Sequence, residues 1–251
     1  EPTGDSTTVR INMLNSGSQC ELVVQTPKGM VEYQGDTCID GVPGSAAPIS
    51  CNYLNIAGSA CGSLLPTGSR IDIVDGIEIS CIDNGMPVVV LRAEDMGISG
   101  YESPAELNAN EVLKSKLQSI RLQIGPKMNL GDVEGAAVPK MCMISPPLKD
   151  GICHTRTFIP YKCHSAIGVL GAVSAATAAI IPGTVAEGIA TVPAGASKTL
   201  SVEHPSGEFS INLHVDEQAD PPQVLKAGLL RTARLLSRGE LYVPEHIFIN
   251  E

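Results

Sequence analysis

The most constraining feature of this sequence is a segment without a charged residue, which runs from Ser165 to Ile181 and is closed by Pro182-Gly183. It is rich in Ala, Gly, Val and Ile, so a helix built from it would lack the charged outer face of a surface helix. The segment therefore predicts a helix buried in a protein core. A membrane span is disfavoured, because the segment is at the short end of the roughly 17 to 25 residues required and has no flanking aromatic belts.

Polar residues come directly before this segment. A strand-like stretch, 154–162, leads to Cys163-His164 at the predicted start of the helix. The first N–H groups of a helix have no partner within it and form the positive end of its dipole, so they suit a carboxylate or enolate oxygen. We expect the functional site at this end of the helix.

Composition limits the possible partners. The 251 residues allow one large domain or two small ones. Aromatic residues make up only 3% of the chain, so surfaces on which bases could stack are nearly absent. The net charge of −10 disfavours nonspecific binding to nucleic acid or to an acidic membrane. We therefore expect neither as a partner.

The eight cysteines form no C-x-x-C pair and mostly stand beside apolar or β-branched residues, which predicts reduced, buried thiols. With no signal peptide visible at the start of the chain, this favours the cytoplasm. Two pairs, Cys153-His154 and Cys163-His164, resemble zinc ligands. Adjacent side chains in a strand point to opposite faces, so we predict no metal site.

Strand patterns dominate the first half. A hairpin is predicted for Val9 to Leu14 with Cys20 to Gln25, and another for Ile77 to Ile82 with Val88 to Leu91. Ser103-Pro104 predicts the start of an amphipathic scaffold helix that ends at Gly125-Pro126. The apolar stripe of this helix is predicted to contain Leu107, Val112, Leu113, Leu117, Ile120 and Ile124. Strands are expected after it at Lys140 to Ser145, Thr155 to Pro160, Thr199 to Glu203, Phe209 to Val215 and Val224 to Val243.

Several motifs resemble one known family. The motifs are Cys81-Ile-Asp-Asn-Gly-Met-Pro87, Val138-Pro-Lys-Met-Cys142, Arg156-Thr-Phe-Ile-Pro-Tyr-Lys-Cys-His-Ser165 and Gly228-Leu-Leu-Arg-Thr-Ala-Arg234, with Asp40-Gly-Val-Pro-Gly44 and Leu64-Leu-Pro-Thr-Gly68 as signatures of the wider family. Through them the chain resembles the 4-oxalomesaconate tautomerases within the methylaconitate and methylitaconate isomerase family. The resemblance covers nearly the whole chain.

The resemblance implies an α+β fold of the diaminopimelate-epimerase type, with two pseudo-symmetric strand-rich domains that each wrap a central apolar helix. Residues 1–75 plus 219–251 would form the first domain and residues 76–218 the second. In the relatives the chain starts well before the position that matches Glu1. We therefore expect an incomplete first domain, without the N-terminal segment that carries the family's catalytic Lys and its Cys in Asn-Cys-Gly-Asn. The chain alone would then be inactive, and a homodimer is possible.

The chemistry implied by the resemblance is a cofactor-free proton shift in an unsaturated tricarboxylate. The first candidate is keto–enol tautomerisation of 4-oxalomesaconate in the breakdown of gallate and related aromatic acids. Alternatives are a methylaconitate or methylitaconate isomerase, or a non-catalytic remnant that binds carboxylates. A serine hydrolase and a nucleotide-binding protein are disfavoured, because neither Gly-x-Ser-x-Gly nor a matching Gly-rich phosphate loop occurs.

Four site residues are predicted around the start of the core helix. His164 would donate a proton or hold a carboxylate, although a helix-capping histidine is the alternative. Ser165 would offer its hydroxyl and N–H to an oxyanion, or act as the N-cap. Arg156 would clamp a carboxylate, or pair with an acidic side chain. Lys162 is a more ambiguous substrate contact, and Cys163 is interpreted as a buried thiol.

Four further substrate contacts are predicted in turns. Asn84 matches an Asn that contacts substrate in the epimerase-like fold, but Asp-Asn-Gly is also good turn chemistry. Gly44, Thr67 and Gly68 lie in loops of small residues, where the backbone can approach a ligand closely. A tight surface turn explains such loops equally well. Arg231 and Arg234 are expected to point to opposite faces of a strand, so that at most one faces a cleft.

Overall fold

A computed structural model of the protein describes residues 2, 4–14 and 17–244. Within these residues the helices are α1 Pro104–Ala109, α2 Glu111–Ile124 and α3 Val169–Ile180. The strands are β1 Ser6–Asn12, β2 Gln19–Gln25, β3 Thr37–Cys38, β4 Ser45–Ala46, β5 Ile49–Leu54, β6 Asp72–Val74, β7 Ile77–Asp83, β8 Pro87–Arg92, β9 Lys140–Ser145, β10 Cys153–Phe158, β11 Ser197–His204, β12 Gly207–Asp216 and β13 Gln223–Arg231.

Eleven of these strands form one sheet in the order β1-β2-β5-β13-β12-β11-β10-β9-β8-β7-β6. Neighbours are antiparallel except for the parallel pairs β8–β9 and β10–β11. β13 pairs with β5 on one side and with β12 on the other, so it joins the first three strands to the rest of the sheet. The division into domains 1–75 plus 219–251 and 76–218 stays a prediction, and residues 245–251 of it lie outside the described part of the chain.

Helices cover both faces of this sheet. The α3-side core contains Val88 and Val90 of β8 together with most of α3. The α2-side core contains Val89 and Leu91 of the same strand together with the apolar residues of α2. Successive side chains of a strand point to opposite faces, so a strand covered on both sides is apolar throughout rather than alternating. This explains the uninterrupted run Pro-Val-Val-Val-Leu in β8.

The core helix is confirmed, but its predicted start at Ser165 is wrong. α3 begins at Val169 with Gly168 as its N-cap, and nine of its twelve residues are buried. The preceding backbone is held against β10 instead, since the His164 N–H donates to the Thr157 carbonyl and Cys163 bridges to Phe158. Ser165 is therefore not an N-cap. Among the described residues, no helix has the length and apolarity that a membrane crossing requires.

The scaffold helix is confirmed at both ends but is divided into two helices. Ser103 and Glu106 form a capping box at the start of α1, and Gly125 follows the end of α2. The break is at Asn110, whose side chain accepts a hydrogen bond from the Leu113 N–H and so caps α2. Val112 is 69% exposed, so its assignment to the apolar stripe is wrong. The other predicted stripe residues are buried, namely Leu107, Leu113, Leu117, Ile120 and Ile124.

The predicted hairpins are confirmed as β1–β2 and β7–β8. The predicted strands Thr199 to Glu203 and Phe209 to Val215 are confirmed as β11 and β12, which pair with each other. Residues 15 and 16 of the first turn lie outside the described residues. The last extended run is wrong beyond Arg231, because residues 232–244 contain neither helix nor strand. Arg234 therefore does not share a strand with Arg231. Seven of the eight cysteines are buried and all eight are free thiols, while Cys38 is exposed against expectation.

Candidate active site

The N-terminus of α3 is open and has no side-chain cap. Its N-cap residue is Gly168, which has no side chain that could accept a hydrogen bond from the helix. A Cβ added at Gly168 would meet no heavy atom within 4 Å. The first hydrogen bond of the helix runs from the Ala172 N–H to the Gly168 carbonyl at 2.8 Å. The N–H groups of residues 169–171 therefore have no partner within the helix and are available to an anion.

His164 lies five residues before α3 and is half-buried. Its Nδ1 atom accepts a hydrogen bond from the Ala166 N–H at 2.9 Å. A neutral ring in this arrangement carries its proton on Nε2. Nε2 is then the ring atom that can exchange a proton with a ligand, while Nδ1 fixes the orientation of the ring.

The neighbours of His164 differ in exposure and chemistry. Lys162 and Ser165 are exposed, so both can reach a ligand, and their roles as contacts stay predictions. Cys163 is buried, and its backbone N–H donates to Asn108 Oδ1 at 2.8 Å. Burial raises the pKa of the Cys163 thiol to about 11. A thiol with this pKa is protonated at neutral pH, which agrees with the interpretation of Cys163 as a buried thiol.

Arg156 lies on β10 and is 4% exposed. Its Nε donates to the Glu102 carbonyl at 2.6 Å, and its Nη1 donates to the Thr155 carbonyl at 2.9 Å and to His154 Nε2 at 2.6 Å. Within the described residues it forms no salt bridge, so the alternative of an ion pair is not observed there. The carboxylate clamp stays a prediction.

Arg156 and His164 are brought together by a backbone contact. The His164 N–H donates at 2.8 Å to the carbonyl of Thr157, the residue that follows Arg156 in β10. The structure therefore places Arg156 and His164 in one neighbourhood, although no hydrogen bond joins their side chains. His204, at the end of β11, is buried, and burial lowers its pKa.

Asn84 follows β7 and is fully buried. Its side-chain amide donates to Thr177 Oγ1 at 2.9 Å, and its backbone N–H donates to Ser174 Oγ at 3.2 Å. These bonds attach the β7–β8 turn to the second and third turns of α3, away from the open end of the helix. Its role as a substrate contact stays a prediction, while its contacts here are those of a residue that anchors the helix.

The two glycine-containing loops make local contacts of different kinds. Thr67 Oγ1 donates to Asp72 Oδ2 at 2.6 Å, and the Gly68 N–H donates to the Leu65 carbonyl at 2.9 Å. Gly44 has a φ of +75°, and a Cβ there would lie 3.0 Å from Nη2 of Arg234. Neither loop is hydrogen-bonded to α3 or to His164 among the described residues. The substrate-binding roles of Gly44, Thr67 and Gly68 stay predictions.

Sequence reasoning missed the buried residues around Arg156, which are His154, Glu203 and His204. One signal was available for His154, because residues two apart in a strand share a face and His154 precedes Arg156 by two. Glu203 gave no such signal, since it is 49 residues from His154. In the described part of the chain, no three His, Cys, Asp or Glu side chains come together as a possible metal site.

The fold is that of a known class of isomerases. The crystal structure of methylitaconate-delta-isomerase matches with a TM-score of 0.84 and 25% identity, covering 98% of this chain and 68% of that chain. A hydroxyproline epimerase from Agrobacterium vitis matches with a TM-score of 0.50 and 13% identity over 92% of this chain and 59% of its own, which shows the fold alone. The predicted epimerase-like α+β fold is thereby confirmed.

The chain belongs to the PrpF protein family, whose model matches residues 1–244. It is 52% identical to the 4-oxalomesaconate tautomerase of Pseudomonas putida, over 94% of this chain and 64% of that protein. It is also 52% identical to the (4E)-oxalomesaconate Delta-isomerase of a Novosphingobium strain, over 96% of this chain and 67% of that protein. The chain thus spans about two thirds of the length of these curated relatives.

Proposed function

We propose that this chain carries half of the active site of a cofactor-free tautomerase, whose substrate is the unsaturated tricarboxylate 4-oxalomesaconate. The observation that carries the proposal is the uncapped N-terminus of α3, with open space at Gly168 and the Nε2 atom of His164 free to exchange a proton. The 52% identity to two oxalomesaconate-converting relatives supports the choice of substrate.

The reaction needs a stabilised enolate. A base takes a proton from the carbon next to a carbonyl, and the electron pair of that bond forms a carbon–carbon double bond. The π pair of the carbonyl moves onto its oxygen, which takes up a proton. Fixed N–H donors aimed at the oxygen lower the barrier, because the negative charge develops there. The N–H groups of residues 169–171 supply such donors, and His164 Nε2 would give the proton. The family resemblance implies a catalytic Lys and Cys in the expected preceding segment, and that Cys would be the base at carbon.

Substrate binding depends on local positive potential, because the net charge of −10 opposes a trianion. Arg156, Lys162 and the positive end of α3 would each face one carboxylate, and Ser165 would add a hydroxyl. We place the protein in the cytoplasm, in the breakdown of gallate and related aromatic acids, and a homodimer is compatible with this function.

A second candidate function is isomerisation of methylitaconate or methylaconitate. The TM-score of 0.84 to methylitaconate-delta-isomerase favours it, as does 28% identity to the 3-methylitaconate isomerase of Eubacterium barkeri. A third candidate is a non-catalytic protein that binds carboxylates at the same helix end. The three candidates differ in which of these acids, if any, the protein converts, so one set of assays distinguishes them.

The test is to mix the full-length protein with 4-oxalomesaconate, methylitaconate or methylaconitate and to follow the ultraviolet spectrum. We expect rapid change with 4-oxalomesaconate and slower or no change with the other two. Preferential turnover of methylitaconate or methylaconitate would instead support the second candidate. An unchanged spectrum with all three, from a protein that still binds them in calorimetry, would leave only the non-catalytic alternative.

A further inference from the structure

Three buried side chains form a polar chain, of which the proposed function uses only Arg156. They are Glu203 on β11, His154 on β10 and Arg156, and they are 4%, 6% and 4% exposed. Glu203 and His154 are partners in the parallel register of the two strands, so their side chains are neighbours on one face. Buried polar groups in such a number indicate a function or a structural role that offsets their desolvation.

Glu203 is an ionised carboxylate in a shell of donors. It accepts hydrogen bonds from the N–H groups of Leu148 at 2.7 Å, Lys149 at 2.8 Å and Gly151 at 3.1 Å. Burial acts to raise its pKa, but these N–H groups outweigh burial and the pKa of Glu203 is lowered. A Cβ at residue 151 would lie 2.6 Å from Glu203 Cγ, so only glycine allows the loop this close.

His154 connects the carboxylate to the guanidinium. Its Nδ1 lies 3.1 Å from Glu203 Oε2, and its Nε2 lies 2.6 Å from Arg156 Nη1. Arg156 can only donate, so Nε2 must accept and Nδ1 must carry the proton. A second proton on Nε2 would set two N–H groups against each other. Burial first, and then the charge of Arg156, lowers the pKa of His154, which agrees with a neutral ring.

Arg156 is left with one open position. Nε and Nη1 are occupied by the Glu102 carbonyl, the Thr155 carbonyl and His154. Nη2 has no partner among the described residues. A guanidinium removed from water without a carboxylate in contact is costly, and an anionic ligand would reduce that cost. The arrangement therefore fixes a cation whose unused N–H groups can receive a carboxylate.

We infer that Glu203 and His154 are positioning residues, which hold Arg156 so that Nη2 meets one carboxylate of the tricarboxylate substrate. The inference rests on the proposed function and assigns parts of it to residues that do not touch the substrate. Neutral His154 acts as a fixed acceptor for Nη1, and ionised Glu203 holds the ring in the tautomer that makes this possible. Loss of His154 should weaken substrate binding and leave the proton-transfer groups in place.

The test compares His154→Leu with His154→Gln in the full-length protein. The glutamine carbonyl can still accept from Arg156, whereas leucine cannot. For His154→Leu we expect KM to rise about tenfold, because one hydrogen bond to a charged group is worth roughly 1.4 kcal/mol or more, with kcat little changed. His154→Gln should stay closer to the parent. His214→Leu, at an exposed position on β12, is the control for loss of a histidine.

A purely structural role would lower the melting temperature of both His154 variants and leave KM unchanged, and this result would overturn the inference.

If the parent protein converts none of the three acids, the proposed function fails, and the inference is decided by binding of tricarballylate. Calorimetry should then show binding by the parent and by His154→Gln and weak binding by His154→Leu. Equal binding, or no binding by the parent, would reject it. Nitrogen NMR of the His154 ring provides a separate check, with the proton expected on Nδ1.

Discussion

Asn84 and Thr177 are joined by a buried hydrogen bond of 2.9 Å, which attaches the turn after β7 to the middle of α3. Thr177 Oγ1 also donates to the Val173 carbonyl at 2.7 Å, so the hydroxyl serves both partners. The bond matters for the site because the position of α3 decides where its open N–H groups point. The residue that the sequence suggested as a substrate contact is thus engaged in holding the helix.

Replacement of Thr177 by valine should destabilise the protein. The valine has nearly the same shape, but it leaves the buried Asn84 amide without its acceptor, which costs about 1–3 kcal/mol. Urea unfolding of Thr177→Val measures this loss. Thr191→Val, at an exposed threonine, is the matched control and should be nearly neutral. Equal stabilities of the two variants would show that the hydrogen bond contributes nothing.

A substitution at Gly168 should separate helix stability from ligand binding. Gly168 has an extended backbone, with φ −72° and ψ 147°, so Gly168→Asp can provide the N-cap acceptor that α3 lacks. We expect a gain of a few tenths of a kcal/mol in the free energy of unfolding, since Asp caps a helix slightly better than Gly. The same carboxylate would compete with the substrate for the free N–H groups and raise KM.

Gly168→Ala is the control for that change, because it adds a side chain without an acceptor. It should not raise KM as Gly168→Asp does. Chemical denaturation and steady-state kinetics of the two variants give both quantities. Unchanged KM in Gly168→Asp would place substrate binding elsewhere than at this helix end.

Replacement of His164 by asparagine should abolish most of the activity without loss of the fold. The asparagine oxygen can still accept from the Ala166 N–H, as Nδ1 does, but nothing replaces Nε2. Loss of a general acid typically lowers kcat by about 10² to 10⁴-fold. Melting temperature and kcat of His164→Asn, compared with His214→Asn, test this expectation. A fully active variant would exclude His164 from proton transfer.

The stability of the protein should fall as the pH drops below about 6.5. The pKa values of His154 and His204 are lowered from 6.5, chiefly by burial, so the unfolded chain binds protons in this range that the folded chain does not. Stability therefore rises with pH through this window, by at most about 1.4 kcal/mol per pH unit for each histidine. At lower pH, protonation of Glu203, whose pKa is also lowered, adds to the loss.

Urea unfolding at pH 7 and pH 5 measures this dependence. His154→Gln should show a smaller difference between the two values than the parent, because one of the two histidines is removed. His214→Gln, at an exposed position, should keep the difference of the parent. An unchanged difference in His154→Gln would mean that His154 binds protons equally in the folded and unfolded states, against the lowered pKa.

Elements defined by neighbouring residues could be predicted from the sequence. The β7–β8 hairpin follows from two apolar runs around Asn84-Gly85, and the start of α1 follows from Ser103, Pro104 and Glu106. The break at Asn110 was missed, because an asparagine within a helical pattern can also face solvent without interrupting it. Here it caps α2 through the Leu113 N–H.

The beginning of α3 could not be located from local patterns. Residues 163 and 164 do not join the helix, because they are hydrogen-bonded to distant parts of the chain. The Cys163 N–H, for example, donates to Asn108 Oδ1. The same limit applies to the candidate site. His164 and Ser165 were accessible to motif reasoning, but the connection of His154 to Glu203 depends on the parallel register of β10 and β11. No sequence period encodes that register.

The central place of β13 has a consequence for biosynthesis. β1, β2 and β5 leave the ribosome early, but the strand that links them to β12 is the last of the sheet to be made. Until β13 emerges, β5 exposes an unpaired edge, and such edges invite pairing with other nascent chains. Because sheets closed by distant segments form slowly, overproduction at low temperature or with chaperones should increase the yield of native protein.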